Sequence, residues 1–133
     1  MHLPHGTIVA VADGEKLNLF RNGGDEGRLQ LVAGPDLAVD ARVSRAGGHQ
    51  SSSSNPANNQ QAEDGFSTGI VDALNAMALQ GNVKHVLIIA APKSLGEFRH
   101  HYHKALSAIL VGELDKDLAG HSMADVQKAI EAV

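Results

Sequence analysis

Residues 85–91 read His-Val-Leu-Ile-Ile-Ala-Ala, the most apolar run in this chain of 133 residues. The run does not alternate between polar and apolar side chains, and strands of that kind are buried on both faces. Pro92 follows directly and ends the run, because proline lacks the backbone N–H that a strand needs. The stretch therefore predicts a central strand in a sheet that other elements cover on both sides.

Three shorter candidate strands come before this run. Residues 7–12 are apolar and rich in β-branched side chains, while residues 17–21 and 29–33 alternate. Asp13-Gly14 and the stretch 22–25 (Asn-Gly-Gly-Asp) supply the turns, because asparagine and glycine tolerate a positive φ. Consecutive strands with tight turns predict an antiparallel meander.

A helical period begins after the meander. Apolar side chains recur from Phe66 to Met77 at the spacing of an amphipathic helix, and Gly81-Asn82 is a suitable end. Two starts are open: Asn55-Pro56, because proline suits the first helical position, and Asp64.

Two further helices and a short strand are predicted downstream. The strand covers residues 110–117, and Ser122 to Asp125 resembles a capping box at the start of the last helix. The second helix is predicted from the apolar stripe Leu95, Phe98, Tyr102, Ala105 and Ile109. The inward side chains of the last helix are predicted to be Met123, Val126, Ile130 and Val133.

The predicted order β-β-β-α-β-α-β-α indicates one α/β domain over residues 1–133, a mixed sheet with helices packed on its faces. This order is similar to that of ribonuclease-H-like folds, which raises a metal-dependent nuclease as a hypothesis. Such a site needs several converging carboxylates. Asp13 ends the first strand, but the central strand ends in Ala90-Ala91-Pro92, so we do not expect a nuclease.

No metal site and no cofactor are expected. His100 and His103 have the i, i+3 spacing that would let them share an ion on a helix, but a third ligand at a fixed spacing is not evident. They are interpreted as part of a basic, solvated helix face. Glu113, Asp115 and Asp117 would share one face of a strand and are interpreted as a solvated edge.

The composition of the chain argues against several classes of protein and of binding site. The chain has no cysteine, so a disulfide framework and a thiolate metal site are not expected. Its formal net charge of −4 gives no general basic footprint for nucleic acid. No apolar run is long enough to span a bilayer and no signal peptide is evident, which predicts a cytoplasmic protein without membrane contact.

A long polar stretch, about residues 44–64, separates the strand-rich half from the helix-rich half. It contains Gly47-Gly48, which permit backbone conformations closed to other residues. Arg42 and Arg45 lie beside the glycines, and their guanidinium groups could hold phosphates. The stretch is predicted to be a flexible loop. Composition leaves open whether it is a linker or a functional loop.

Three segments together carry a family resemblance: residues 9–13 (Val-Ala-Val-Ala-Asp), residues 90–99 (Ala-Ala-Pro-Lys-Ser-Leu-Gly-Glu-Phe-Arg) and residues 112–118 (Gly-Glu-Leu-Asp-Lys-Asp-Leu). The chain resembles the bacterial host attachment protein family over nearly its whole length. That family is similar to bacterial relatives of archaeo-eukaryotic peptide-chain release factors, specifically their middle domain. The resemblance implies a release-factor-middle-domain-like fold.

In those release factors, a Gly-Gly-Gln loop between the third strand and the first helix promotes hydrolysis of peptidyl-tRNA on the ribosome. The same place in this chain holds Gly47-Gly48-His49-Gln50, with a histidine where the family motif has its glutamine. The resemblance implies that these four residues are the catalytic candidates.

Two hypotheses follow from the resemblance and the residues. In the first, the protein acts on peptidyl-tRNA or binds ribosome or RNA, with at most a peptidyl-tRNA hydrolase-like activity. Its candidate nucleic-acid contacts are Arg42, Arg45, Arg99 and Lys104. In the second, it is a non-enzymatic module that binds a protein partner and affects attachment to host cells indirectly. The sequence leaves the oligomeric state open.

Overall fold

The computed structural model describes residues 1–13, 17–34 and 58–133, and of residues 58–67 it describes the backbone alone. The described part contains five strands and four helices. The strands are β1 Ile8–Ala12, β2 Leu17–Asn22, β3 Leu31–Ala33, β4 Val86–Ala90 and β5 Leu110–Leu114. The helices are α1 Asn58–Gln80, α2 Pro92–Arg99, α3 Lys104–Ile109 and α4 Met123–Glu131.

The five strands form one mixed sheet in the order β3-β2-β1-β4-β5. β1, β2 and β3 pair antiparallel, which confirms the predicted meander. β4 pairs parallel with β1, and β5 pairs parallel with β4. The predicted α/β class with a mixed sheet is therefore confirmed, and the result is compatible with a release-factor-middle-domain-like fold.

The central strands are buried on both faces, as the unbroken apolar run predicted. Every residue of β1 and of β4 is buried. Alternate side chains enter two separate core clusters: Ile88 packs in the one that includes residues of α1, α2 and α3, whereas Leu87 and Ile89 pack in the one with α4. Helices on both faces explain why β4 has no polar side chain.

The helix α1 begins at Asn58, closer to the Asn55-Pro56 alternative than to Asp64. It ends at Gln80, and Gly81 follows with a φ of 79°, a conformation that glycine adopts without a steric penalty. The predicted end of this helix is confirmed.

The prediction of one helix over the stripe from Leu95 to Ile109 is wrong. The chain makes two helices there, because His103 adopts an extended backbone with φ −77° and ψ 155° between them. Its Nδ1 accepts a hydrogen bond from the Ala105 N–H at 2.9 Å, so His103 caps the start of α3. Tyr102 still packs against the same core cluster, so the apolar period continues across the break.

Two details near the C-terminal end also differ from prediction. β5 ends at Leu114 rather than at residue 117. Ser122 caps α4 by accepting a hydrogen bond from the Asp125 N–H, as predicted. However, Met123 and Val133 are 41% and 56% exposed, so they do not face the core. Met123 is the first residue of α4 and Val133 lies beyond its end, which leaves Val126 and Ile130 as the buried pair.

Asn22 connects the start of the chain to the turn between β2 and β3. Its side chain is fully buried, and its Nδ2 donates to the Leu3 carbonyl oxygen at 2.8 Å. Its Oδ1 accepts from the Gly24 N–H at 2.9 Å and from the Gln30 N–H at 3.1 Å. The side-chain amide of Asn22 thus forms hydrogen bonds with backbone groups from three parts of the chain. Without it, these groups would need water as their partner.

We expect Asn22→Ala to destabilise the fold by about 2–4 kcal/mol, because buried donors and an acceptor lose their partner. Urea denaturation followed by circular dichroism would measure this. Asn18→Ala, at an exposed position in the same strand, is the matched control and should change stability by less than about 0.5 kcal/mol. Equal effects of the two variants would contradict the assigned role of Asn22.

Candidate functional site

Six of the predicted site residues lie outside the residues that the structure describes. They are Arg42, Arg45, Gly47, Gly48, His49 and Gln50. The structure does describe the two elements on either side of them in the sequence, β3 and α1, and the surface that carries Arg99 and Lys104.

The strand β3, which precedes the predicted loop, is held from both of its edges. On one edge it pairs with β2. On the other, Gln127 of α4 accepts a hydrogen bond from the Leu31 N–H at 3.0 Å and donates one to the Leu29 carbonyl oxygen at 3.1 Å. Gly34, just after β3, donates to Leu19 O, and a Cβ there would come within 2.7 Å of that same oxygen. The described chain before the loop therefore has a fixed position on the sheet.

The helix α1, which follows the predicted loop, is tied to the turn between α2 and α3. The link is Asn75, whose Nδ2 donates to the His101 carbonyl oxygen at 3.0 Å. Its Oδ1 accepts from the His103 N–H, also at 3.0 Å. These two bonds hold the residues between Arg99 and Lys104 in the conformation that separates α2 from α3.

Arg99 and Tyr102 converge on one carboxylate, that of Glu113 in β5. The Arg99 guanidinium contacts Glu113 Oε1 through Nε at 3.0 Å and through Nη2 at 2.8 Å. The Tyr102 hydroxyl donates to Glu113 Oε2 at 2.6 Å. The Glu113 side chain is 19% exposed and that of Arg99 is 56% exposed, so the group lies at the surface with the carboxylate on its inner side.

The charges in this group stabilise each other. Burial alone would raise the pKa of the Glu113 carboxyl, but the hydrogen bonds from Arg99 and Tyr102 outweigh it and lower that pKa below its ordinary value of 4.5. Burial and the bond to Glu113 raise the pKa of the Tyr102 hydroxyl well above its ordinary value. Tyr102 therefore remains a proton donor and Glu113 a carboxylate at neutral pH.

The ion pair with Glu113 makes Arg99 and Lys104 unequal candidates for contact with nucleic acid. Arg99 has a carboxylate partner that neutralises part of its charge, although its exposed edge still faces solvent. Lys104 is the first residue of α3, is exposed, and has no ion pair within the described part of the chain. Lys104 is thus the simpler candidate for contact with a phosphate.

The interpretation of His100 and His103 as part of one helix face is wrong, because His100 follows the last residue of α2 and His103 precedes the first residue of α3. Within residues 1–13, 17–34 and 58–133, no group of three histidine or acidic side chains is placed to hold a metal ion.

Glu113 and Asn75 were not predicted as members of this surface. Glu113 was interpreted as part of a solvated acidic edge, but β5 ends before Asp115 and only Glu113 reaches Arg99 and Tyr102. A signal was present: a single acidic residue inside an apolar strand, with an arginine and a tyrosine on the segment just before it.

A family model described as bacterial archaeo-eukaryotic release factor family 12 matches residues 6–130, nearly the whole chain. The chain belongs to this family. The release-factor-like part of the predicted resemblance is therefore confirmed, whereas the host attachment name stays a prediction. A search of curated proteins found no match to the chain.

Membership in release factor family 12 supports a general role connected with translation, RNA or the ribosome.

The longest described helix of the chain, α1, has 23 residues. Neither α1 nor another helix in the described ranges is long and apolar enough to cross a bilayer.

We expect Glu113→Gln to destabilise the protein more at pH 7 than at pH 3. Because the folded pKa of Glu113 lies below 4.5, its stabilising effect is complete above the unfolded pKa and is lost as the pH falls through the folded value. Urea denaturation of both proteins at pH 7, 5 and 3 would measure the difference.

Tyr102→Phe should show the same pH dependence with a smaller amplitude, since the ion pair with Arg99 remains. The exposed Asp117, changed to Asn, is the control and should alter stability at pH 7 by less than about 0.5 kcal/mol. A loss in Glu113→Gln that stays constant over the pH range would contradict the network.

Proposed function

We propose that this protein acts on ribosome-bound peptidyl-tRNA through the segment Gly47-Gly48-His49-Gln50. The family match over residues 6–130 is the observation that carries the proposal, because it aligns the chain with release-factor-like proteins almost from end to end. The position of the four residues between β3 and α1 supports it, since the release-factor motif occupies the same place in the strand order.

The chemistry would be hydrolysis of an ester. Water adds to the carbonyl carbon that joins the peptide to the ribose of the tRNA, the bond to the ribose oxygen breaks, and that oxygen takes a proton. Gly47 and Gly48 would let the backbone approach the ester closely, because they have no side chain. His49 or Gln50 would orient the water, as a side chain within hydrogen-bond reach can.

The described structure supports this proposal because β3 and α1, the elements before and after the segment in the sequence, are both held in place. β3 is held by Gln127 and α1 is linked through Asn75 to the turn before α3. Catalytic groups need positions fixed to a fraction of an ångström, and loops achieve this when rigid elements carry their ends. We propose that residues 1–133 work as one such unit.

Contacts with RNA would surround the segment. Arg42 and Arg45 would hold phosphates near the ester, and Lys104 and the exposed edge of Arg99 would bind the backbone farther away. Phosphate contacts position a nucleic acid without reading its sequence. The overall charge of −4 means that binding must come from such local groups.

We expect the double variant Gly47→Ala, Gly48→Ala to hydrolyse peptidyl-tRNA on stalled ribosomes about 100-fold more slowly than the wild type, because a small displacement of the reacting groups has an effect of that size. Release of labelled peptide measures the rate. Gly96→Ala is the control: a Cβ there meets nothing within 4 Å, so its rate should match the wild type. Equal rates in all three proteins, or none, would remove the enzymatic proposal.

A second candidate function is a non-enzymatic module that binds a protein partner and affects host attachment indirectly. One observation favours it: the guanidinium of Arg99 is shared with Glu113, which reduces the charge available for RNA. The host attachment name from the sequence resemblance belongs to this candidate.

Co-sedimentation with ribosomes at increasing salt separates the two candidates. For the first, we expect binding that weakens with salt, and a slope of log affinity against log salt that falls by about one in Lys104→Gln. Lys128→Gln, at an exposed position of α4, is the matched control. Absence of ribosome binding, with a salt-insensitive protein partner, would favour the second candidate.

A further inference from the structure

A pocket of about 510 Å³ opens on the face of the sheet that carries α1. Leu17 and Leu19 of β2 pack against the core cluster on this face, and Arg21 follows them on the same side of the strand. The pocket lies between these strands and the linker after α1. Its lining includes His5, Ile8, Arg21, Ala33, Asn82 and Val83.

The lining has an apolar part and a cationic part. Ile8 and Val83 supply aliphatic surface, while Arg21 supplies a guanidinium. Among the described residues, no carboxylate lines the pocket and none pairs with Arg21. Arg21 differs in this from Arg99, whose charge is shared with Glu113.

Two polar side chains accompany Arg21. The ring of His5 is fixed by a 2.7 Å hydrogen bond between its Nδ1 and the Gly24 carbonyl oxygen; because that oxygen can only accept, Nδ1 carries the proton. Asn82 also lines the pocket, and its amide has both a donor and an acceptor. The pocket thus offers a fixed imidazole, an amide, aliphatic side chains and a guanidinium that has no acidic partner among the described residues.

We propose that this pocket binds a phosphate monoester about the size of a mononucleotide. Its volume falls within the range of roughly 300–1,000 Å³ that is usual for small-molecule sites. The planar fork of an arginine matches phosphate geometry, so Arg21 would hold the phosphate. Ile8 and Val83 would pack against the face of the ring system, and Asn82 would bond to its polar edge. The proposal involves none of the residues 42–50 and does not rest on the proposed function.

The test is calorimetric titration of the full chain with AMP, adenosine and inorganic phosphate. We expect AMP to bind saturably, and adenosine at least about tenfold more weakly because it lacks the group for Arg21. Arg21→Gln should weaken AMP binding about tenfold or more. Arg28→Gln makes the same charge change at an exposed position outside the pocket and should retain wild-type affinity.

A second variant keeps Arg21 and removes the amide. Asn82→Ala, at an exposed position after α1, should also weaken AMP binding. Denaturation curves would show that each variant is folded. Failure of the wild type to bind AMP saturably, or equal weakening in Arg21→Gln and Arg28→Gln, would overturn the proposal.

Discussion

The parallel pairing of β1 with β4 is the constraint on which the rest of this structure depends. The two strands are paired from Ile8 with Val86 to Ala12 with Ala90, although more than seventy residues separate them in the sequence. All ten residues are buried, so the pair can exist only with helices over both faces. The meander then has to extend from one side of the pair, and β5 from the other.

The sequence predicted the elements whose signals are local. The apolar run around Ile88 and the cap at Ser122 depend on neighbours within a few residues, and both were read correctly. The break between α2 and α3 depends on Asn75 of α1, which binds the His103 backbone from a distance of 28 residues. Because Asn75 is so far away in the sequence, the apolar period from Leu95 to Ile109 continues across the break between α2 and α3. The period alone therefore could not reveal that the helix is interrupted.

The candidate site also combines features that depend on local sequence with features that depend on contacts between distant elements. The segment from Gly47 to Gln50 lies between β3 and α1 in the sequence, but it is outside the described residues and its role stays a prediction. The role of Glu113 needed the fold, because its partners Arg99 and Tyr102 meet it only when β5 lies beside β4. Acidic residues at alternate positions have the same pattern whether a strand continues in solvent or ends, as it does here, after Leu114. Electrostatic partners across elements are therefore the part that composition and spacing leave undetermined.

The amide of Gln127 has a consequence for self-association. An unpaired strand edge is a template on which a second chain can build, and β3 lies at the margin of the sheet. Here the edge groups of Leu29 and Leu31 are already occupied by one side chain that imitates a neighbouring strand over a single residue pair. The edge groups of Leu29 and Leu31 are thereby unavailable for pairing with a strand of a second chain.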